Sequence, residues 1–302
     1  MYERILVPLD GSEIAEGALP YAEGVARRLH SEVILLTACL PGESLERPLR
    51  AYLEKRAEEL KSLGIKASQL VVWGNTASEI LDFSEKNGIG LIIISTHGRT
   101  GPSVWPLGSI ANKVLQRSRI PVLLIRSREL EAVIREKELR KILVPLDGSQ
   151  FAEGIIPYVE GLADGMNDEV ILLRVIEPMS YTIQSTSGPW LDWEKYEKEF
   201  MAKAEREAKR YLSEKENALR NKGVKVSSAS LVGKPTQTIL QYAEDNSVSL
   251  IALATHGFSG ITEWAYGSVA SRIIEGSSKP TLLVRPSLPS LDTKRRSKPE
   301  SR

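Results

Sequence analysis

The residue types in this chain best suited to chemistry are glycine, serine and carboxylate, and they occur twice in matching settings. Ser95-Thr96-His97-Gly98 leads through Gly101 to Gly108-Ser109, and Ala254-Thr255-His256-Gly257 leads through Gly260 to Gly267-Ser268. Glycine lets an anion approach the backbone closely, and a helix that starts at Gly-Ser offers free N–H groups to it. Asp10 and Asp147 stand in two copies of Leu-Asp-Gly-Ser. Each carboxylate can accept hydrogen bonds from a sugar or base while the glycine loop holds a phosphate; the other reading is that it caps the following helix. His97 and His256 precede the loop glycines, where ordering the loop by a hydrogen bond requires less than acting on a phosphate. The chain carries no P-loop lysine motif, no acidic pair at metal-site spacing and no recognisable nucleophile–base pair.

These residues need strands and helices to bring them together. Leu91-Ile92-Ile93-Ile94 precedes the first glycine loop and Leu250-Ile251-Ala252-Leu253 the second, while Ile110-Val114-Leu115 and Val269-Ile273-Ile274 follow at helical spacing. Strands are expected at Ile5–Leu9, Val33–Thr37, Gln69–Trp73, Leu91–Ser95 and Val122–Ile125. They are unbroken apolar runs, as in parallel strands covered by helices on both faces. Ser12 is a suitable N-cap for the first helix, and Pro20, like Pro157 in the second half, predicts a kink or a late helix start. Leu45–Leu63 reads as a second helix, and Thr76-Ala77-Ser78-Glu79 as a capping box opening a third. About Asp192–Asn221 is a longer helix whose Trp193, Tyr196, Phe200, Ala204, Ala208, Tyr211 and Leu219 form a stripe expected to pack. Alternating strands and helices give an open, doubly wound α/β sheet.

The pattern is a duplication. Arg4-Ile5-Leu6-Val7-Pro8-Leu9-Asp10-Gly11-Ser12 returns as Lys141-Ile142-Leu143-Val144-Pro145-Leu146-Asp147-Gly148-Ser149, 137 positions on, and the spacing widens to 159 by Gly74 and Gly233. The extra residues of the second half are expected around Pro178–Trp193. Two domains follow, 1–127 and 141–286, joined at 128–140 by a short helix or firm connector, with a basic tail at 287–302 expected to be disordered. A doubly wound sheet binds ligands beyond the carboxyl ends of its strands, where strand order reverses. In the order 3-2-1-4-5, Asp10 and the Gly98 loop share one crevice, and Asp147 and the Gly257 loop share another.

Composition excludes several classes. A length of 302 residues, 42% hydrophobic and 26% charged, suits two globular domains, and a net charge of +1 gives no strong nucleic-acid signal. No apolar run is long enough to cross a bilayer, and the strand pattern starts too early for a signal peptide, so a cytoplasmic protein is expected. Cys39 is the single cysteine and reads as a packing residue.

The chain resembles a tandem universal stress protein along nearly its whole length. The resemblance rests on Val7–Ser12, on Thr96-His97-Gly98-Arg99-Thr100-Gly101 and on Leu107-Gly108-Ser109-Ile110. In the second half it rests on Val144–Ser149, Thr255-His256-Gly257-Phe258-Ser259-Gly260 and Gly267-Ser268-Val269. It implies two Rossmann-like doubly wound domains, each with a five-stranded parallel sheet in the order 3-2-1-4-5 flanked by helices. The ATP-binding branch of the family shows Gly, two residues, Gly, nine residues, then Gly-Ser or Gly-Thr. Both halves keep the nine-residue gap, but Ser95 and Ala254 stand in place of the opening glycine. By resemblance Asp10 and Asp147 contact the adenosine end, and Ala38 and Val175 line the base pocket. Gly98, Gly101, Gly108 and Ser109 hold the phosphates in the first half, as Gly257, Gly260, Gly267 and Ser268 do in the second. The implied ligand is ATP, with or without Mg2+, in a stress-response regulator that acts through conformation or a protein partner. Paired domains of the family commonly meet through their fifth strands, so an internal pair, or a homodimer, is implied. An interaction module that has lost nucleotide through Ser95 and Ala254, and a slow ATPase, are the competing readings.

Overall fold

The computed structural model describes residues 1–39, 46–98, 107–126, 139–163, 168–178, 193–255 and 266–285. Most of the connector, the tail and most of the extra second-half residues lie outside this set, as do Gly101, His256, Gly257 and Gly260. The first half runs β1 (Arg4–Pro8), α1 (Glu13–Glu16), α2 (Leu19–Leu29), β2 (Glu32–Cys39), α3 (Glu46–Ser62), β3 (Ala67–Trp73), α4 (Thr76–Lys86), β4 (Leu91–Ser95), α5 (Ser109–Arg117) and β5 (Val122–Ile125). The second half repeats it as β6 (Lys141–Pro145), α6 (Gln150–Glu153), α7 (Ile156–Leu162), β7 (Glu169–Ile176), α8 (Trp193–Arg220), β8 (Lys225–Val232), α9 (Pro235–Asp245), β9 (Leu250–Ala254), α10 (Ser268–Gly276) and β10 (Thr281–Val284).

All ten strands form one sheet, in the order β3-β2-β1-β4-β5-β10-β9-β6-β7-β8. Each half therefore has the expected 3-2-1-4-5 order, parallel throughout. The halves join by the antiparallel pairing of β5 with β10, with Leu282 opposite Leu123. Because successive strand residues point to opposite faces, an unbroken apolar strand feeds two cores. Ile5 and Val7 pack with Tyr21, Leu35 and Leu53 on one face; Leu6 packs with Leu36, Ile80, Ile92 and Val114 on the other. Both cores continue across the seam, through Leu123 and Leu282 on the first face and Leu124 and Leu283 on the second.

Polar contacts stitch the seam on both faces. On the α2 side, Arg28 pairs with the buried Asp168 at 2.9 Å, and the Tyr2 hydroxyl donates to the Tyr158 carbonyl at 2.8 Å. On the α5 side, Arg126 donates to the carbonyls of Ile274 (2.7 Å) and Glu275 at the end of α10. Arg285, at the corresponding position of the second half, donates to Gln116 O of α5 at 3.2 Å.

Three local expectations resolve differently from one another. The proline positions give late helix starts: α1 and α6 are single short helices capped by Ser12 and Ser149, and α2 and α7 begin afresh with proline in their first turn. The capping box at Thr76 is corrected, since Asn75 is the N-cap and accepts from Ser78 N at 3.4 Å, leaving Thr76 inside the helix. The packed stripe on the long helix is also corrected. Ala208, Leu212 and Leu219 of α8 are buried, but Tyr196 is 50% exposed and Phe200 41%. A helix of 28 residues is about 42 Å long, whereas the eight-residue strands beneath it span about 26 Å, so its first turns overrun the sheet.

Candidate functional site

Asp10 and Asp147 leave the carboxyl ends of the central strands β1 and β6 and turn at once. Gly11 and Gly148 take φ of 82° and 83°, a left-handed conformation that costs glycine nothing. The turn brings Ser12 N within 3.0 Å and Ser12 Oγ within 2.6 Å of Asp10 Oδ1; Ser149 repeats this on Asp147 Oδ1 at 2.8 and 2.6 Å. The same serine hydroxyls then accept from Ala15 N and Ala152 N as N-caps. Serine, not aspartate, is the cap, and each carboxylate is held by a short relay from its own helix start.

That helix start is clamped from behind. Glu16 of α1 pairs with Arg56 of α3 at 2.9 Å, and Glu153 of α6 pairs with Lys215 of α8 at 2.8 Å. Tyr52 and Tyr211 sit beside these pairs, with Arg56 over the ring of Tyr52 at 5.8 Å and Lys215 over that of Tyr211 at 5.5 Å. Burial, with the neighbouring glutamate, pushes both phenol pKa values up, so each tyrosine stays neutral. The clamp tyrosines and cations recur at the 159-residue spacing and the glutamates at 137, and that repetition is the signal from which the clamp could have been found.

Strand β4 pairs with β1 and β9 with β6, which brings the glycine loops to the carboxylates. In the first half the contact is direct: a Cβ on Gly98 would collide with Asp10 Oδ2. Gly108 N donates to Thr96 O at 2.7 Å and Gly267 N to Thr255 O at 2.8 Å, drawing the start of α5 and of α10 back onto the strand ends. Gly108 and Gly267 are the N-cap residues of these helices, and neither helix start has a side-chain cap. Ser109 and Ser268 therefore open helices whose first N–H groups have no side-chain cap. The His97 ring nitrogen lies 3.1 Å from the Thr96 hydroxyl, which ties the histidine to the strand end.

In the second half the crevice is a cavity of about 270 Å³. It brings together Asp147, Val175, Ala254, Thr255, Gly267 and Ser268, with Pro235 and Ile239 of α9 closing one wall. Of the six second-half positions expected to form the site, four line this cavity and the other two, Gly257 and Gly260, lie outside the described residues. In the first half Asp10, Gly98, Gly108 and Ser109 gather at the matching strand ends, and Ala38 sits on β2 opposite Val72 of β3. Pro235 and Ile239 were not anticipated; their position at the start of α9, after Gly233, gives them away only once the strand order is known. No cluster of three metal-ligating side chains occurs among the described residues, and none of their helices is long and apolar enough to cross a membrane.

A sequence profile described as the Universal stress protein family matches residues 1–126 and again residues 138–285. The chain belongs to the universal stress protein family. Universal stress protein MJ0577 of Methanocaldococcus jannaschii is 32% identical over 153 residues, which span 48% of this chain and 94% of that protein. Universal stress protein Slr1230 of Synechocystis aligns end to end, 22% identical over 94% of this chain and 100% of its own length. A crystal structure of a universal stress protein from Archaeoglobus fulgidus superposes with a TM-score of 0.71 at 19% identity, covering 95% of this chain and 100% of the other. These likenesses give the family and the two-domain fold.

Proposed function

We propose that this universal stress protein binds ATP in crevices at the carboxyl ends of its strands, and signals occupancy through conformation or a protein partner in the cytoplasm. The observation that carries the reading is the second-half cavity, where one carboxylate, an apolar wall and an uncapped helix start converge. The apolar wall of Val175, Pro235 and Ile239 suits a base, and Asp147 suits the base or ribose edge. Gly267 and Ser268 suit the phosphates, since an uncapped helix start attracts an anion. Gly257 and Gly260, with Gly98, Gly101, Gly108 and Ser109 in the first half, complete the two proposed cradles, with Asp10 and Ala38 in the places of Asp147 and Val175. A volume of about 270 Å³ accommodates base and ribose, with the phosphates over the open mouth. Mg2+, if it accompanies the phosphates, would be held by them and by the hydroxyls beside them, and would offset their charge. The described residues supply binding groups and no general acid–base pair among them, so a regulatory role explains them with fewer assumptions than turnover.

The test is release of bound nucleotide from the purified chain by heat, identified by chromatography, together with calorimetric titration with ATP. Recovery of adenine nucleotide or saturable heat supports the reading. An empty preparation that gives no heat at millimolar ATP refutes it and favours an interaction module of the same fold.

A further inference from the structure

The two crevices differ in the charge that stands behind them. Arg174 lies on β7 next to Val175, and because neighbours on a strand point to opposite faces, Val175 enters the cavity while Arg174 enters the layer behind the Asp147 turn. Its guanidinium packs against Gly148, where a Cβ would collide with it, and lies 5.7 Å from the centre of the Tyr211 ring. Its Nη1 is buried without a hydrogen-bond partner among the described residues. The corresponding residue of the first half is Thr37, whose hydroxyl donates to the Leu9 carbonyl and brings no charge.

Two further exchanges go the same way. Glu59, which pairs with Arg56 at 2.8 Å in the first half, corresponds to the exposed Ala218 in the second. Glu13, the first residue of α1, corresponds to Gln150 of α6. The clamp pair itself is unchanged in sign, Glu16 with Arg56 against Glu153 with Lys215. At these corresponding positions the second half is thus more positive by three charges. A partly buried guanidinium with one nitrogen unsatisfied among the described residues is weakly screened, so its field reaches the turn beside it.

We infer that Arg174 is a specificity-determining residue that tunes the second-half crevice for polyanionic nucleotides, while the first-half crevice, lacking that charge, discriminates little between a triphosphate and a neutral nucleoside. The inference rests on the nucleotide reading above and adds a ligand charge preference and a residue that sets it. Arg174 acts through the field at the site, and its contacts with Gly148 and Tyr211 hold it in place.

The test compares ATP with adenosine by calorimetry on the full chain. Every protein carries Gly98→Val, which closes the first crevice by the collision with Asp10. In this background ATP binds more tightly than adenosine. Arg174→Thr weakens ATP about tenfold, the size of removing one partly buried charge from the field at a charged ligand, and leaves adenosine within about twofold. Arg174→Lys keeps ATP within about threefold, and 0.5 M salt narrows the ATP–adenosine gap. Ala218→Glu, on an exposed helix position, weakens ATP severalfold without touching Arg174 and serves where Arg174→Thr fails to fold. Equal loss of both ligands in Arg174→Thr, no loss of either, or equal ATP and adenosine affinity before mutation overturns the inference alone. A parent chain without Gly98→Val that binds neither ligand overturns the nucleotide reading and this inference with it.

Discussion

Replacing Ser149 with alanine removes two interactions from the same oxygen. The hydroxyl accepts from Ala152 N at 3.1 Å as the cap of α6, and it donates to Asp147 Oδ1 at 2.6 Å. Loss of an N-cap costs about 1 kcal/mol. A hydrogen bond to a charged group is worth about 1.5–3 kcal/mol, but Asp147 is half-exposed and keeps the Ser149 backbone N–H at 2.8 Å, so about 1 kcal/mol is the share at stake. The variant should therefore lose about 2 kcal/mol. Unfolding entropy near 2.1 cal/mol/K per residue, over 302 residues unfolding as one unit, converts this to a fall of about 3 °C in the midpoint. Thermal melts by circular dichroism give the number directly. Ser149→Asp separates the two roles: it restores a capping oxygen, and with it most of the melting temperature, but sets a second carboxylate against Asp147 and should weaken ATP binding. A midpoint within 1 °C of the parent for Ser149→Ala, or restored ATP binding in Ser149→Asp, would refute the relay from helix cap to carboxylate.

Leu282→Ala empties a fully buried position on the seam, opposite Leu123, and should cost about 3 kcal/mol in urea denaturation, within the range for buried leucines. Alkaline stability is set by Tyr2, Tyr52, Tyr211 and Tyr266, whose phenol pKa values are all raised, chiefly by burial. A raised pKa favours the folded state below the unfolded value of about 10 and loses that contribution as pH climbs further. A pH series of melts should thus be flat with respect to these groups up to about pH 10 and fall above it, and unchanged midpoints to pH 12 would contradict their burial.

Much of the fold was legible because it follows from period and repetition. Unbroken runs such as Leu91–Ile94 can be satisfied only between two helical layers, and the twin Leu-Asp-Gly-Ser segments set the halves in register. The placement of the candidate site residues was legible where it depends on backbone chemistry: Asp10 and Asp147 at strand ends, and Gly-Ser at the starts of α5 and α10. What depends on partners distant in the chain was not legible. The Glu16–Arg56 and Glu153–Lys215 clamps join residues 40 and 62 positions apart, and either member alone looks like an ordinary surface charge. Arg126 and Arg285 acquire meaning only when β5 meets β10, because each binds carbonyls of the other half. Tyr196 and Phe200 were misread because periodicity marks a face of α8 without saying where the sheet beneath it stops. The cap of α4 was misplaced by one residue because Asn75 and Thr76 are both competent caps and the turn at Gly74, not propensity, decides between them.

The antiparallel seam of β5 and β10 has a consequence for how such a protein can change. Were the halves separate chains, their pairing would fade on dilution, and every substitution would appear on both sides of the axis at once. Joined in one chain, each half meets the other at an effective concentration of about millimolar whatever the cellular amount. The axis no longer enforces identity, so a contact can be made in one direction only. Tyr266, beside the second glycine cradle, reaches across to Asn112 O at 3.4 Å, whereas its counterpart is Leu107, which has no hydroxyl to return the contact. Fusion turns a symmetric pair into two addresses, each free to diverge from the other.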